Sequence, residues 1–177
     1  MLWRQRIFCQ LVPLIMEKFR VVDKENSGIL NVYFSLICPL LDIARGVPAV
    51  LSSEFKMLLP MFTEALKAEF YPSDLQVFFA GVLSLLKLAP LEGVPHDQLK
   101  AVCYGLAKVI KEQNSVNICL IALECLDTLV KRGPKERLVP FYSRVITSLV
   151  AALASSKRVV RKAAAETRNK WELIITV

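Results

Sequence analysis

The residues best suited to metal or redox chemistry in this 177-residue chain are five cysteines and one histidine. They are Cys9, Cys38, Cys103, Cys119, Cys125 and His96. Metal sites need thiols and imidazoles that lie close together, as in Cys-x-x-Cys pairs. The sequence has no such pair, and each cysteine lies in an apolar stretch with helical character. The pattern predicts buried free thiols that pack as small hydrophobic side chains, with no metal or cofactor site.

Catalytic chemistry has little support in the sequence. The Gly-x-Ser-x-Gly, glycine-rich phosphate-loop and His-Glu-x-x-His patterns are missing. Three carboxylates, at Glu64, Glu69 and Asp74, fall near one predicted turn, where acidic side chains more often form a solvated edge. His96-Asp97 follows a proline and is most simply a cap at the start of a helix. We therefore expect a protein that is not an enzyme.

Net charge is the property that points to a function. Residues 131–177 contain eleven basic and three acidic residues, a net charge of +8, whereas residues 1–130 carry −1. A concentrated charge of one sign steers association with a surface of opposite sign. An acidic protein surface and a nucleic acid both fit, although the basic stretch lacks interleaved aromatic residues and any recognised nucleic-acid-reading motif. A solvated end of the fold is the third interpretation.

Two predicted helices position these charges. Over Lys157 to Ile174, helical spacing places Val160, Ala164, Thr167, Trp171 and Ile174 on one apolar stripe, with Trp171 as its core anchor. The predicted partner-binding residues lie off this stripe: Arg158, Arg161, Lys162, Arg168 and Lys170. A preceding helix is predicted over Arg137 to Ala154. The short connection between them, where Ser155-Ser156 offer capping hydroxyls, forces a hairpin.

The rest of the chain repeats this hairpin. Eight helices are predicted, at residues 2–22, 29–44, 53–70, 73–88, 97–113, 116–131, 137–154 and 157–174. They form hairpins at about 2–45, 52–88, 96–132 and 135–175, a period of ~40–47 residues that is typical of HEAT and armadillo units. Alternating strand patterns are scarce, and no Asn-Gly or Asp-Gly turn occurs. The predicted fold is all-α, an α-solenoid of about four HEAT-type hairpins in one domain over residues 1–177.

Hydrophobic residues make up 54% of the chain, which suits inner repeats of a stack, because both of their flanks are buried. The first helix is apolar around much of its circumference, unlike a polar terminal cap. We therefore expect the C-terminal piece of a longer solenoid, with a core helix of a small bundle as the alternative. The longest uncharged run, Asn26–Leu41, has 16 residues, whereas a membrane span needs ~20. No membrane association is predicted.

The C-terminal residues resemble a known family. The run Leu153-Ala-Ser-Ser-Lys-Arg-Val-Val-Arg-Lys-Ala-Ala164 is similar to the HEAT pattern Leu-x-Asp-x-x-x-x-Val-Arg-x-x-Ala, with Ser155 in place of the aspartate. This run, Leu138–Ile146 before it and Trp171-Glu172 after it resemble the extreme C-terminus of one HEAT-repeat family. That family is the large adaptor of the cytosolic iron–sulfur assembly targeting complex, first known from sensitivity to methyl methanesulfonate. The detailed match covers the last hairpin.

This resemblance implies a non-enzymatic scaffold in the cytoplasm and nucleus. Its C-terminal repeats would dock a small iron–sulfur targeting protein and, through it, a WD40 propeller subunit. Together they would deliver clusters to apoproteins such as DNA helicases and polymerases, and the cluster would not be held by this chain. The HEAT-like position of Arg161 implies an intramolecular contact for that side chain. The alternative function is a nucleic-acid-binding helical solenoid that uses the same basic hairpin.

Overall fold

The described part of the chain is helical almost throughout. The structure is a computed structural model that describes residues 2–23, 26–44, 58–64, 66, 75–88, 91–112 and 115–175. Its helices are α1 (Leu2–Val21), α2 (Ser27–Ala44), α3 (residues 58–64 described), α4 (Leu75–Leu88), α5 (His96–Glu112), α6 (Val116–Arg132), α7 (Lys135–Leu138), α8 (Tyr142–Leu153) and α9 (Arg158–Glu172). Short 3-10 turns occur at Leu91–Gly93 and Val139–Phe141. These residues contain no strand, and the all-α prediction is confirmed.

The chain forms two compact units, Met1–Ala89 and Pro90–Val177. The single domain and the four hairpin boundaries remain predictions. Of the three carboxylates predicted near one turn, Glu69 and Asp74 lie outside the described residues.

In the first unit, α1 packs against α2 and α2 packs against α4. The ring of Phe19 lies 5.8 Å from Tyr33 and 6.1 Å from Phe34 between ring centroids, which joins α1 to α2. Asn26 begins α2, because its side-chain oxygen accepts a hydrogen bond of 3.1 Å from the main-chain N–H of Ile29. The break predicted around residues 23–28 therefore contains a specific cap.

The buried side chains described in α1 lie on one face of the helix. Phe8, Val12, Met16 and Phe19 form it at helical spacing. Cys9, Leu11 and Leu14 point away from that face and are exposed. The prediction of five buried thiols is thus wrong for Cys9, because it lies one position beyond the buried stripe, and right for Cys38, Cys103, Cys119 and Cys125.

The second unit stacks two hairpins in register. Helices α5 and α6 form one hairpin, and α8 and α9 form the next. Helix α5 also packs on α8, and α6 packs on α9, so the first helices form one layer and the second helices the other. This pairing of like with like is the packing expected of helical repeats. The helical-hairpin arrangement predicted from the repeat period is confirmed within the described residues.

Two predicted helix starts are displaced in this unit. The helix expected over Arg137 to Ala154 is divided into α7, a 3-10 turn and α8, because Pro140 has no N–H and disfavours a continuous helix through that position. Asp97 was expected as a cap, but α5 begins at His96, which places Asp97 in the first turn. Its negative charge there interacts favourably with the helix dipole.

Candidate interaction surface

Helix α9 is fixed to the core by the predicted apolar stripe. Val160, Ala164, Thr167 and Trp171 are buried against the neighbouring helices, and Ile174 is buried just beyond the helix end. Trp171 is 0% exposed, and its indole Nε1 donates a hydrogen bond of 3.2 Å to the main-chain oxygen of Leu126 in α6. The stripe therefore forms as predicted and leaves the polar side of α9 on the surface.

Arg158 and Lys162 are the most available cations of the surface predicted to bind a partner. Both residues are exposed. The Lys162 side chain is 79% exposed and lies 3.9 Å from the Glu166 carboxylate one turn later, a loose pair in water. Arg158 forms no ion pair with any residue that the structure describes. These two side chains are free to meet an acidic surface without first breaking a tight contact.

Arg161 is used within the hairpin, as the family pattern implied. Its guanidinium Nη1 donates hydrogen bonds of 2.8 Å and 3.0 Å to the main-chain oxygens of Ser155 and Ser156. The Ser155 hydroxyl, which stands where the family has an aspartate, accepts a 3.3 Å hydrogen bond from the Lys157 N–H. The arginine thus holds the turn between α8 and α9 through carbonyl groups, without the carboxylate contact of the family pattern.

Arg168 and Lys170 also have partners inside the fold. The Arg168 Nε lies 2.7 Å from the Glu172 carboxylate on the same helix. The Lys170 ammonium lies 2.5 Å from Asp127 in α6, and Asp127 also meets Lys131 at 2.6 Å. Lys170 therefore ties α9 to α6, and its assignment to a partner surface remains a prediction.

Asp127, Lys131 and Lys170 form an ion-pair cluster, and the sequence did not predict the role of Asp127 in it. Its side chain is 12% exposed. Burial acts to raise the pKa of the Asp127 carboxyl, but its hydrogen bonds to Lys131 and Lys170 and their positive charges outweigh burial, and the pKa is lowered. The carboxylate in turn raises the pKa of Lys131. Its position on the same helix face as Lys131, four residues away, was the available signal.

The cysteines and the histidine do not assemble into a site among the described residues. No group of three or more potential metal-ligating residues occurs there. Burial raises the pKa of the Cys103 and Cys119 thiols, which keeps them protonated and poor as nucleophiles or ligands. The His96 ring, exposed at the start of α5, lies 5.1 Å from the Phe141 ring in the turn before α8. Among the described helices, none has the length and apolarity that a membrane crossing requires.

Comparison with known proteins agrees with the family resemblance that was seen in the last hairpin. No family model matches the chain. The MMS19 nucleotide excision repair protein homolog of Dictyostelium discoideum is 28% identical over 178 residues, which cover 98% of this chain and 16% of that protein. The DNA repair/transcription protein mms19 of Schizosaccharomyces pombe is 27% identical over 97% of this chain and 16% of its own length. The human MMS19 homolog is 26% identical over 98% of this chain and 16% of its own length. The chain is homologous to MMS19.

The match to MMS19 is broader than the match predicted from the last hairpin. It covers nearly the whole chain, including the first unit, where the sequence carried only the order and length of helices. The chain spans about a sixth of the length of these MMS19 relatives, 16% in each case. Their names describe them as proteins of nucleotide excision repair and of DNA repair and transcription.

Proposed function

We propose that this chain is part of a non-enzymatic adaptor, and that its last hairpin, α8 with α9, docks an acidic surface of a partner protein. Homology to MMS19 over nearly the full chain supports an adaptor role related to DNA repair. The finer proposal follows the family resemblance. The partners are the small iron–sulfur targeting protein and, through it, the WD40 propeller subunit, and the clients are apoproteins of DNA metabolism in the cytoplasm and nucleus.

The observation that carries the proposal is the pairing of a rigid anchor with available cations on one helix. Trp171 and the Lys170–Asp127 ion pair fix α9 to α6. Arg158 and Lys162 are exposed on the same helix. Because the helix is held before a partner arrives, its cations would lose little conformational freedom on binding. A charged surface of this kind affects association rate and specificity most strongly.

Arg168 is the third residue of the proposed contact. Its side chain is 39% exposed and is oriented by Glu172 at 2.7 Å. An acidic partner group would compete with Glu172 for the guanidinium, so we assign Arg168 a smaller share of the binding than Arg158 and Lys162. Arg161 is assigned to the hairpin turn, because its guanidinium already donates to two carbonyl groups there.

Direct nucleic-acid binding is the second candidate, favoured by the net charge of +7 and by the repair-related names of the relatives. The ion pairs of Lys131 and Lys170 with Asp127 and of Arg168 with Glu172 reduce the positive charge that the last hairpin offers to phosphates. Few phosphate contacts would remain, and a shallow dependence of affinity on salt would follow.

Calorimetric titration separates the two functions. The chain is titrated with the purified small iron–sulfur targeting protein and, separately, with a 20-base-pair duplex. We expect saturable binding to the protein and none to the duplex at physiological salt. Tight duplex binding with a steep log–log salt dependence, together with no binding to the targeting protein, would favour the nucleic-acid function and overturn the adaptor proposal.

A further inference from the structure

A second surface lies in the layer formed by α5 and α8. A groove of about 740 Å³ runs between these two helices. Its lining combines three cations, one acid, three hydroxyl-bearing residues, an aromatic ring and two small apolar residues: Lys108, Lys111, Arg144, Glu112, Ser143, Thr147, Ser148, Tyr104, Ala107 and Pro140. Ala107 and Ser148 are buried and form its base, whereas Lys111 and Arg144 are exposed at its rim. The volume is in the range of ordinary ligand sites.

The cations of this groove are not neutralised by the fold. Lys108, Lys111 and Arg144 form no ion pair with any residue that the structure describes. The Arg144 guanidinium lies 4.8 Å from the centre of the Tyr104 ring, and the Lys100 ammonium lies 5.7 Å from the same centre. The contact with Tyr104 orients Arg144 without cancelling its charge. The groove thus holds a persistent positive charge beside an aromatic wall.

The hydroxyl groups of the groove contribute acceptors. Thr147 donates its hydroxyl proton to the Ser143 carbonyl at 2.9 Å, and Ser148 donates to the Val145 carbonyl at 2.8 Å. Their oxygens therefore keep lone pairs for an N–H donor, as does the Glu112 carboxylate. Positive donors together with hydroxyl and carboxylate acceptors in one groove match a ligand that presents both carboxylates and N–H groups.

We propose that the groove between α5 and α8 binds an acidic peptide segment of a partner protein. A peptide supplies carboxylates for Lys108, Lys111 and Arg144 and main-chain N–H groups for the hydroxyl oxygens. From Tyr104 to Lys111 the helix rises ~10 Å, the length of about three extended residues. A nucleic acid fits less well, because the Tyr104 ring already contacts two cations instead of lying open for base stacking.

This surface is independent of the α9 surface described above. The groove lies in the layer of α5 and α8, whereas Arg158 and Lys162 lie on α9, in the layer of α6 and α9. Charge reversal of one surface therefore leaves the cations of the other in place. The matched control is Lys18→Glu/Arg20→Glu on α1, which lies outside both surfaces and changes the net charge as much as reversing two cations of the groove.

The test uses fluorescence anisotropy with the full 177-residue chain and a fluorescein-labelled deca-glutamate peptide. We expect saturable binding at low salt. The Lys108→Glu/Arg144→Glu variant should bind at least tenfold more weakly, whereas the Lys18→Glu/Arg20→Glu variant on α1 should stay within twofold of the unmodified chain. The milder Lys108→Gln/Lys111→Gln variant repeats the test without reversing charge or removing the Arg144–Tyr104 contact, should the first variant fold poorly.

Three results would overturn the proposal. The first is no binding of the peptide at low salt. The second is an equal loss in the groove and α1 variants, which would mean general attraction to a basic protein. The third is a labelled duplex that binds as tightly as the peptide and is lost in the same groove variants, which would make the groove a nucleic-acid site.

Discussion

The indole Nε1 of Trp171 lies 3.2 Å from the main-chain oxygen of Leu126 and donates a hydrogen bond to it. The bond joins the last helix to α6, so the side chain that fills the core also sets the position of α9 on its neighbour. Lys170, one residue before Trp171, reinforces the same junction through Asp127 at 2.5 Å. Apolar burial, a hydrogen bond and an ion pair therefore meet at one crossing of two helices.

Replacing Trp171 tests how much the contact between α9 and α6 contributes to the stability of the fold. Trp171→Ala should lower the free energy of unfolding by ~3–5 kcal/mol, because it leaves a cavity where a fully buried ring was. Trp171→Phe keeps much of the burial and removes only the indole bond to the Leu126 carbonyl, which stays within the helical ladder of α6, so it should cost less, about 1 kcal/mol. Urea unfolding followed by circular dichroism measures both. A melting temperature in Trp171→Ala equal to that of the unmodified chain would contradict the core assignment.

The ion-pair cluster at Asp127 predicts a pH-dependent contribution to stability. The pKa of the Asp127 carboxyl is lower in the folded chain than its usual value of ~3.9. Its contribution is therefore present above about pH 4 and is lost as the pH falls through the folded-state pKa. Asp127→Asn should be less stable than the unmodified chain at pH 7, by about 1 kcal/mol because both lysines are partly exposed.

Unfolding of both chains between pH 7 and pH 3 checks this expectation. The stability difference should shrink as the pH falls below about 4. Glu166→Gln is the control. The Glu166 carboxylate is 59% exposed and lies 3.9 Å from Lys162, a loose pair, so this variant should match the stability of the unmodified chain at every pH. A difference for Asp127→Asn that stays constant down to pH 3 would show that the carboxylate charge is not the cause.

Gly81 marks a close approach between α4 and α2. A Cβ atom added at Gly81 would lie 2.8 Å from Leu41 Cδ1 and 3.2 Å from Leu41 Cβ. Gly81→Ala should therefore destabilise the first unit by ~1–3 kcal/mol through overpacking. Gly93→Ala is the matched control, because no atom would lie within 4 Å of its Cβ. Thermal unfolding should separate the two, and equal melting temperatures would show that α2 and α4 can move apart at little cost.

Arg137 belongs to the basic C-terminal segment, but its side chain has a structural role and bridges two parts of the second unit. Its guanidinium donates to the main-chain oxygen of Glu92 at 2.8 Å and to that of Val94, joining α7 to the turn before α5. Arg137→Ala should cost ~1–2 kcal/mol in unfolding free energy, because two carbonyl groups lose a charged donor. Lys135→Ala, an exposed cation on the same short helix, should be near neutral. Equal effects of the two substitutions would argue against the bridge.

The sequence predicted the last hairpin best in α9, where helical spacing alone determines which residues are buried. Val160, Ala164, Thr167 and Trp171 are buried because their spacing follows the helix turn without competing signals. At Pro140 the prediction failed. The apolar pattern continues across this residue and predicts one helix, but proline has no N–H to donate, and the helix is divided there. Cys9 was misplaced because α1 is apolar beyond its buried face, so composition alone does not tell which side packs.

The surface was predicted less well than the core. Counting charges placed the basic excess in the last hairpin, but Arg137 and Lys170 each have a partner in the fold that no spacing rule specified in advance, whereas the Arg168–Glu172 pair follows the spacing of one helix turn. The groove at Tyr104 and Arg144 was also missed, since it joins residues 40 positions apart in sequence. Which helices stack is a tertiary property, and single-helix periodicity does not contain it.

The exposed cations of α9 are proposed to dock an acidic partner surface. The decisive measurement is the calorimetric affinity of the small iron–sulfur targeting protein for the Arg158→Glu/Lys162→Glu/Arg168→Glu variant, at low and at physiological salt. Lys18→Glu/Arg20→Glu on α1 serves as the charge-reversal control. We expect at least tenfold weaker binding for the α9 variant, with its helical signal and melting temperature nearly unchanged, and little change for the control. Unchanged affinity of the α9 variant at both salts would contradict the claim and leave this face as a solvated end of the fold.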